Sequence, residues 1–525
     1  MNFDKLEPKT PPPNKRSRLY RAAKIAAALA LISSGICGSL IAIKWPFTRD
    51  KIAARLGKAT SSSVRFHGFQ TKYFPPGCVI EGLEVRLQDD PGSAPLMTIG
   101  RLTIRTNYRD LLRQRIEVMR LEDVRVDAGQ RRAITTASRA GSNGSSKGSS
   151  KKNSTSIAEL IMERAVVEVP RKEKPALVFN IHQLTLDNVI QGEAITFHLA
   201  LDNPLPPGRV RGDGQFNPWN SADAIEIPLS GAYEFSDAKL DSIRGIGGTL
   251  SSEGSFAGPA GALRVQGTTD TPDYQVESAG HPVHLRTDFQ AIVNCGNGDV
   301  ILQNVRAQFG DTTAHFEGAV TRQARGPRVA SLQVEDPGGR IEDWLRLLTR
   351  EKIPAMTGPI TFQAHVTIPG GKRPFIQRIR VQGEFGLDGA AFTRPETQQK
   401  VGDLSLRAGG QKVPKEHDAT SSATLVALAG QVELVGGVAR FSTLSFAVPG
   451  ALANMRGTYS LNDQQVDLRG ELAVDTKFSK TAKGSKTHLL TWAAERLFAK
   501  SAGTGEILPI KLTGTYKHPS FGLTK

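Results

Sequence analysis

Side chains able to do covalent or metal chemistry are sparse in this 525-residue chain and poorly grouped. Of ten histidines, the one close pair is His281 and His284, which flanks Pro282 in an expected turn. No acidic or cysteine neighbour completes a metal-ligand set there. Two pairs of adjacent carboxylates stand out, Glu335 with Asp336 and Glu342 with Asp343. A retaining glycosidase needs two carboxyl groups roughly 5 Å apart across a cleft, a geometry that sequence leaves open. Adjacent acids at a strand end or in a first helical turn more commonly sit in solvent or favour the helix dipole. Gly245-Ile-Gly247-Gly248 lacks the third glycine, the following helix and the downstream acid of a dinucleotide loop, and reads as a strand turn. Neither a Gly-x-Ser-x-Gly elbow nor a His-Glu-x-x-His helix occurs. Cys78 and Cys295 are far apart; two cysteines make no disulfide framework, and a bridge between them is the minor expectation. The expectation is a protein that is not an enzyme, with no catalytic residue, metal or cofactor.

The informative pattern is a repeated frame, apolar-x-apolar-x-Gly, found at Leu263-Arg-Val265-Gln-Gly267, Ile379-Arg-Val381-Gln-Gly383-Glu-Phe385, Val466-Asp-Leu468-Arg-Gly470 and Ile510-Lys-Leu512-Thr-Gly514. Successive strand side chains point to opposite faces, so this spelling gathers apolar groups on one face and Arg, Gln, Lys or Asp on the other. Ile360-Thr-Phe362-Gln-Ala364-His-Val366 alternates as cleanly. Gly-x-Phe or Gly-x-Tyr steps recur at Gly214, Gly231, Gly254, Gly383 and Gly457. The fold class expected is mainly β, an elongated, curled antiparallel sheet with a few short helices.

Those helices are expected at 51–58, around 108–112, at 340–350 with Ile341, Trp344, Leu345 and Leu348 on one stripe, and at 486–500. The strand pattern breaks at the helical turn around 108–112 and resumes at 116–118 and 124–126. Residues 137–156 are almost wholly Gly, Ser, Asn and Lys, too polar to order themselves, and read as a flexible insertion.

Residues 25–43 are 19 in a row without charge or proline, long enough for a transmembrane helix. Lys44-Trp45-Pro46 after them lacks a small-x-small cleavage site, which favours an anchor over a cleaved signal peptide. Seven cations against Asp4 and Glu7 in residues 1–24 favour a cytoplasmic N-terminus. The formal charge of +16 is partly this tail and otherwise spread over strand faces. That distribution suits a solvated surface or anionic lipid better than nucleic acid, which is not an expected partner.

The ordered set of these segments resembles the AsmA-like family of bacterial envelope proteins. The resemblance rests on the anchor and the Pro75-Pro76-Gly77 turn into Ile80-Glu-Gly-Leu-Glu-Val-Arg-Leu87, on Leu121-Glu-Asp-Val-Arg-Val126, on Ile157-Ala-Glu-Leu-Ile161 leading to Ala165-Val-Val-Glu-Val169, and on a C-terminal run from Gly430 to Pro519. It implies a single-pass inner-membrane protein with a periplasmic body, built as a long curled sheet with an apolar trough, whose relatives are linked to phospholipid movement toward the outer membrane. The corresponding regions are an N-terminal β region at 44–136, a central repeated region at 157–420 and a C-terminal region at 421–525.

About 20 strands at roughly 4.8 Å each make a sheet on the order of 100 Å long, too long for a simple sandwich. A trough covered by the acyl chains of phospholipid or another lipid follows. Its expected lining is Leu263, Val265, Ile360, Phe362, Val366, Ile379, Val381, Phe385, Val466, Leu468, Ile510 and Leu512. The alternative is a set of stacked β-sandwiches that recruits other envelope proteins through edge strands.

Overall fold

The computed structural model describes residues 45–60, 62–86, 94–128, 156–171, 174–190, 192–216, 226–277, 281–322, 326–408, 425–474, 506–515 and 518–523. The basic tail at 1–24, the membrane segment expected at 25–43, all but the last residue of the insertion at 137–156, and the helix expected at 486–500 lie outside them. No helix among the described residues is long and apolar enough to cross a membrane.

Among the described residues, twenty-five strands join into one long sheet, which is curled and open. After α1 (Arg49–Thr60) come β1 (Ser63–Lys72), β2 (Gly77–Arg86), β3 (Met97–Arg105), the single turn α2 (Tyr108–Leu112) and β4 (Arg115–Asp127). The patterns at 116–118 and 124–126 are thus two parts of one strand. Next are β5 (Ser156–Arg171), β6 (Lys174–Val189), β7 (Ile195–Pro204), β8 (Pro207–Phe216) and β9 (Pro228–Lys239). The middle holds β10 (Ile246–Gly247), β11 (Thr249–Pro259), β12 (Leu263–Val276), β13 (Val283–Val293), β14 (Val300–Phe309), β15 (Thr312–Arg322) and β16 (Arg328–Arg340). Then follow α3 (Ile341–Leu348), β17 (Met356–Thr357), β18 (Pro359–Pro369), α4 (Phe375–Arg378), β19 (Arg380–Phe392) and α5 (Pro395–Ala408). The last strands are β20 (Val426–Val435), β21 (Val438–Val448), β22 (Ala451–Ser460), β23 (Gln465–Val474), β24 (Glu506–Thr515) and β25 (Pro519–Leu523).

Each strand of the main ladder pairs with the next, while the two-residue β10 and β17 attach at the margins to β12 and β19. The ladder passes from β9 to β11, from β16 to β18 and from β19 to β20 without a break. Among the described residues stacked sandwiches do not form, because successive strands extend one layer instead of facing a second.

One pairing departs from the antiparallel expectation: β4 and β5 are parallel, with Met119 opposite Leu160 and Val126 opposite Val167. A parallel neighbour needs a crossover of a dozen or more residues, and the chain between Asp127 and Ser156, which includes the Ser/Gly-rich insertion, is long enough to supply it. The register also shifts at several bulges, as between Leu302 and Val305 in β14, and each adds local twist.

The helices pack on the apolar face at two places. Near the N-terminus, Trp45, Phe47 and Ile52 meet Ile80, Leu83, Leu102 and Val124. Farther along, Val401 of α5 joins Met356, Ile360, Leu387, Ala390 and Val426, with Ile341, Trp344 and Leu345 of α3 packed against them. Leu348, expected on the same stripe, is instead exposed. The sequence reading missed α5 because its few apolar residues stand in a polar run; Pro395 at its first position was the available signal.

Candidate functional site

The register, followed strand to strand, draws a row of apolar side chains and glycines across the sheet. It starts at Cys78, Ile104, Met119 and Leu160 and continues through Leu186 and Phe197. Gly214, Gly231, Phe256, Val265, Ala291 and Leu302 follow as direct cross-strand neighbours. Gly318, Leu332, Val366, Val381, Leu434, Ala439, Tyr459, Val466 and Gly514 complete it. No charged residue interrupts the row. From Phe197 to Val466 its large members are half-buried, neither sealed in a core nor open to solvent as single surface groups would be.

The opposite face carries the complementary row. Arg211, Glu234, Glu253, Thr268, Asp288, Arg306 and His315 are successive neighbours, then Glu335, Gln363, Glu384 and Gln431. Several charges on this face pair: Arg306 donates to Asp288 at 2.7 Å, and Arg286 to Asp270 at 3.1 Å. His284, on β13 and not in a turn, lies 2.7 Å from Asp270 and with Arg286 holds that carboxyl below the usual range. His281 contacts the Arg350 carbonyl instead, so the two histidines have separate partners. A shallow depression of about 900 Å³ lies among these side chains, lined by residues including Glu253, Gln266, Asp288 and Arg306.

Glycines in the frame make room for aromatic rings on the apolar face of the curled sheet. Aromatics stand opposite glycines at Phe197–Gly214, Phe256–Gly231, Tyr233–Gly254, Phe289–Gly267 and Phe385–Gly430. A Cβ on Gly231 would overlap the Asp213 carbonyl oxygen and lie 2.8 Å from both Gly214 Cα and Phe256 Cζ. Phe197 and Phe256 are three strands apart, roughly 14 Å in a flat sheet. Their ring centroids are 6.5 Å apart and stacked, because both rings lean over the Gly214–Gly231 pair. Three of the five Gly-x-aromatic steps, those ending at Tyr233, Phe256 and Phe385, therefore place a ring opposite a glycine of the neighbouring strand, whereas Phe216 and Tyr459 face Ile195 and Ala439.

Of the expected lining residues, Leu263 and Val265 lie on β12, Val366 and Val381 are direct neighbours, and Val466 and Leu468 lie on β23. Leu512 is opposite Leu468, and Ile510 is opposite Gly470. Three are occupied by protein: Ile360 is in the core under α3 and α5, Phe385 packs against that core, and the Phe362 ring is 5.6 Å from the Trp344 ring. Leu468 is also buried. Ile379 precedes its strand, its backbone N–H closing α4 on the Phe375 carbonyl. Sequence reading missed Phe197, Phe256, Leu302, Leu332 and Leu434 as lining. Alternation marks their strands, but bulges decide which residues stay in line.

Three of the four adjacent carboxylates, Asp336, Glu342 and Asp343, form a latch, while Glu335 is exposed. Asp336, almost fully buried, accepts from the Gly338 and Gly339 backbone N–H groups through Oδ1 and from Trp344 Nε1 through Oδ2 at 2.6 Å. Asp343 accepts from the Asp311 N–H and the Thr312 hydroxyl, both at 2.9 Å. Glu342 accepts from Arg340 Nε at 2.7 Å and the Gly358 N–H at 3.0 Å. Burial pushes Glu342 up, but the Gly358 N–H, its own N–H and Arg340 outweigh it and hold the carboxyl below its ordinary value. These acids fasten α3 to the sheet edge and have their lone pairs committed to that task. Asp336→Asn is expected to turn an NH₂ donor toward Trp344 or Gly339 and to cost about 2–3 kcal/mol, since bonds to a charged acceptor are lost. Urea unfolding checks this; an unchanged midpoint would refute the latch.

Cys78 is buried, its thiol pushed up to about 12 by desolvation, and Cys295 is exposed; both are free. Among the described residues, no group of three or more His, Cys, Asp or Glu is arranged to hold a metal. Comparison with protein-family models, with curated proteins and with solved structures finds no match for this chain.

Proposed function

We propose that this chain is an AsmA-like envelope protein, anchored in the inner membrane through residues 25–43, that holds the acyl chains of phospholipid along the apolar face of its periplasmic sheet. Through that binding it contributes to lipid supply or homeostasis of the outer membrane. The observation that carries the reading is the uninterrupted apolar row with its half-buried side chains, which no second layer of described residues covers between the two helix-covered places. Hydrocarbon placed there removes apolar area from water at about 25 cal/mol per Å², or roughly 0.8 kcal/mol per CH₂. Contact spread over many strands needs no single indispensable residue and no fixed chain length. Partner binding, in this reading, takes the form of strand addition at the edge left by β25.

The test uses side-chain parity. A photo-crosslinking amino acid at Val265 of the full chain in its native membrane is expected to yield phospholipid adducts by mass spectrometry, and one at Gln266, the next residue on the opposite face, is not. Equal yields at both positions, or lipid at neither, would remove the groove.

A further inference from the structure

The end of the sheet nearest the expected anchor carries a second membrane-like feature. The two most exposed large apolar side chains among those described, Leu112 at 88% and Phe74 at 85%, occur together there. Phe74 lies in the β1–β2 turn with its ring 5.8 Å from Tyr108, and Leu112 is one helical turn from Tyr108 on α2. Tyr108 donates to the Tyr73 carbonyl at 2.8 Å, which ties the turn to the helix. Trp45 completes the cluster, 5.0 Å from Tyr73 and 6.4 Å from Tyr108. Phe74 and Leu112 thus project from an aromatic base.

Charge around this tip is predominantly of one sign. Segments 72–77 and 105–115 hold Lys72, Arg105, Arg109, Arg113 and Arg115 against a single carboxylate, Asp110, which accepts from Asn107 at 2.6 Å. All five cations are exposed and none forms an ion pair with a described residue. Elsewhere on the sheet, arginines such as Arg101, Arg164 and Arg306 are paired with acids. The uncharged run 25–43 ends two residues before Trp45, so a bilayer crossed by it lies against this tip.

We propose that the tip docks into the anionic lipid surface beside the anchor, with Phe74 and Leu112 at the headgroup–acyl boundary, the tyrosines at headgroup level and the five cations on lipid phosphates. The apolar row begins at Cys78 and Ile104, next to Gly77 and Arg105 of the same tip, so docking sets the first ribs of the sheet at the membrane surface. The proposal rests on the anchor reading above and is independent of whether the groove holds lipid.

Photo-crosslinkers at Phe74, Leu112 and, as a control, the exposed Arg55 of α1 in the full chain, reconstituted in vesicles of phosphatidylethanolamine and phosphatidylglycerol, test it. Phospholipid adducts are expected at 74 and 112 and not at 55, and they persist in Val381→Asp, where groove occupancy is lost. Arg109→Glu and Arg113→Glu each lower the yield roughly fivefold, and wholly zwitterionic vesicles lower it similarly. Equal yield at 55 and 74 would reduce the effect to tethering, and adducts to a protein, or none, would overturn docking. Lipid at 74 with none at Val265 would sink the groove and leave the tip standing.

Discussion

Val381→Asp is expected to abolish the phospholipid adduct from a photo-crosslinker at Val366 while leaving thermal unfolding unchanged. Val381 is half-buried in the apolar row, with Val366 on one side and Leu434 on the other. None of these neighbours offers a donor or a cation, so a new carboxylate faces whatever fills the trough. A carboxylate against hydrocarbon costs about 3 kcal/mol by membrane-insertion scales, on the order of a hundredfold in occupancy. The empty trough is open to water, so the same carboxylate is solvated without lipid and folding is spared. Gln382→Asp, one residue along, faces out between His365 and Glu433 and is expected to change nothing. Undiminished adduct in Val381→Asp would mean that lipid, if bound at all, does not lie along this row.

The largest loss of stability is expected from Gly231→Ala. The added methyl has no room: the Asp213 carbonyl oxygen, Gly214 Cα and the Phe256 ring all stand in its place. Two of these are backbone on the neighbouring strand, so relief requires parting β8 from β9, or flattening the curl and separating Phe197 from Phe256. Overpacking of this kind costs about 1–3 kcal/mol, and the rigid backbone neighbours put Gly231 at the upper end. Gly338→Ala is the matched control, with no atom within 4 Å of the added Cβ, and is expected to stay within about 0.5 kcal/mol of wild type. Denaturant unfolding of the two variants separates a glycine that makes room for aromatic rings from one that does not. A Gly231→Ala protein as stable as wild type would show that the fold does not depend on close approach at this pair.

Much of this architecture was legible without coordinates. Strand parity is local, so Leu263 and Val265, or Val466 and Leu468, announced a shared face from spelling alone. The helices at 49–60, 108–112 and 341–348 were visible through period and turn chemistry. The site was less legible than the fold. Ile360, Phe362 and Phe385 have the same spelling as Val366 and Val381, yet lie beneath or against α3 and α5. Ile379 has the parity of its strand and instead closes a helical turn. The acids at 335–336 and 342–343 looked like a possible reacting pair; three of the four are buried, and two of those accept from backbone or side-chain groups 16 to 32 residues away.

Sequence alone determined that the chain would be a one-sided β-surface with glycines and aromatics at regular steps, because sidedness and turn preference are set by neighbouring residues. Tertiary structure decided the parallel join of β4 to β5, the alignment of the row through bulges such as that in β14, and which apolar residues helices cover. Those outcomes depend on contacts between residues far apart in the chain, and alternation carries no information about them.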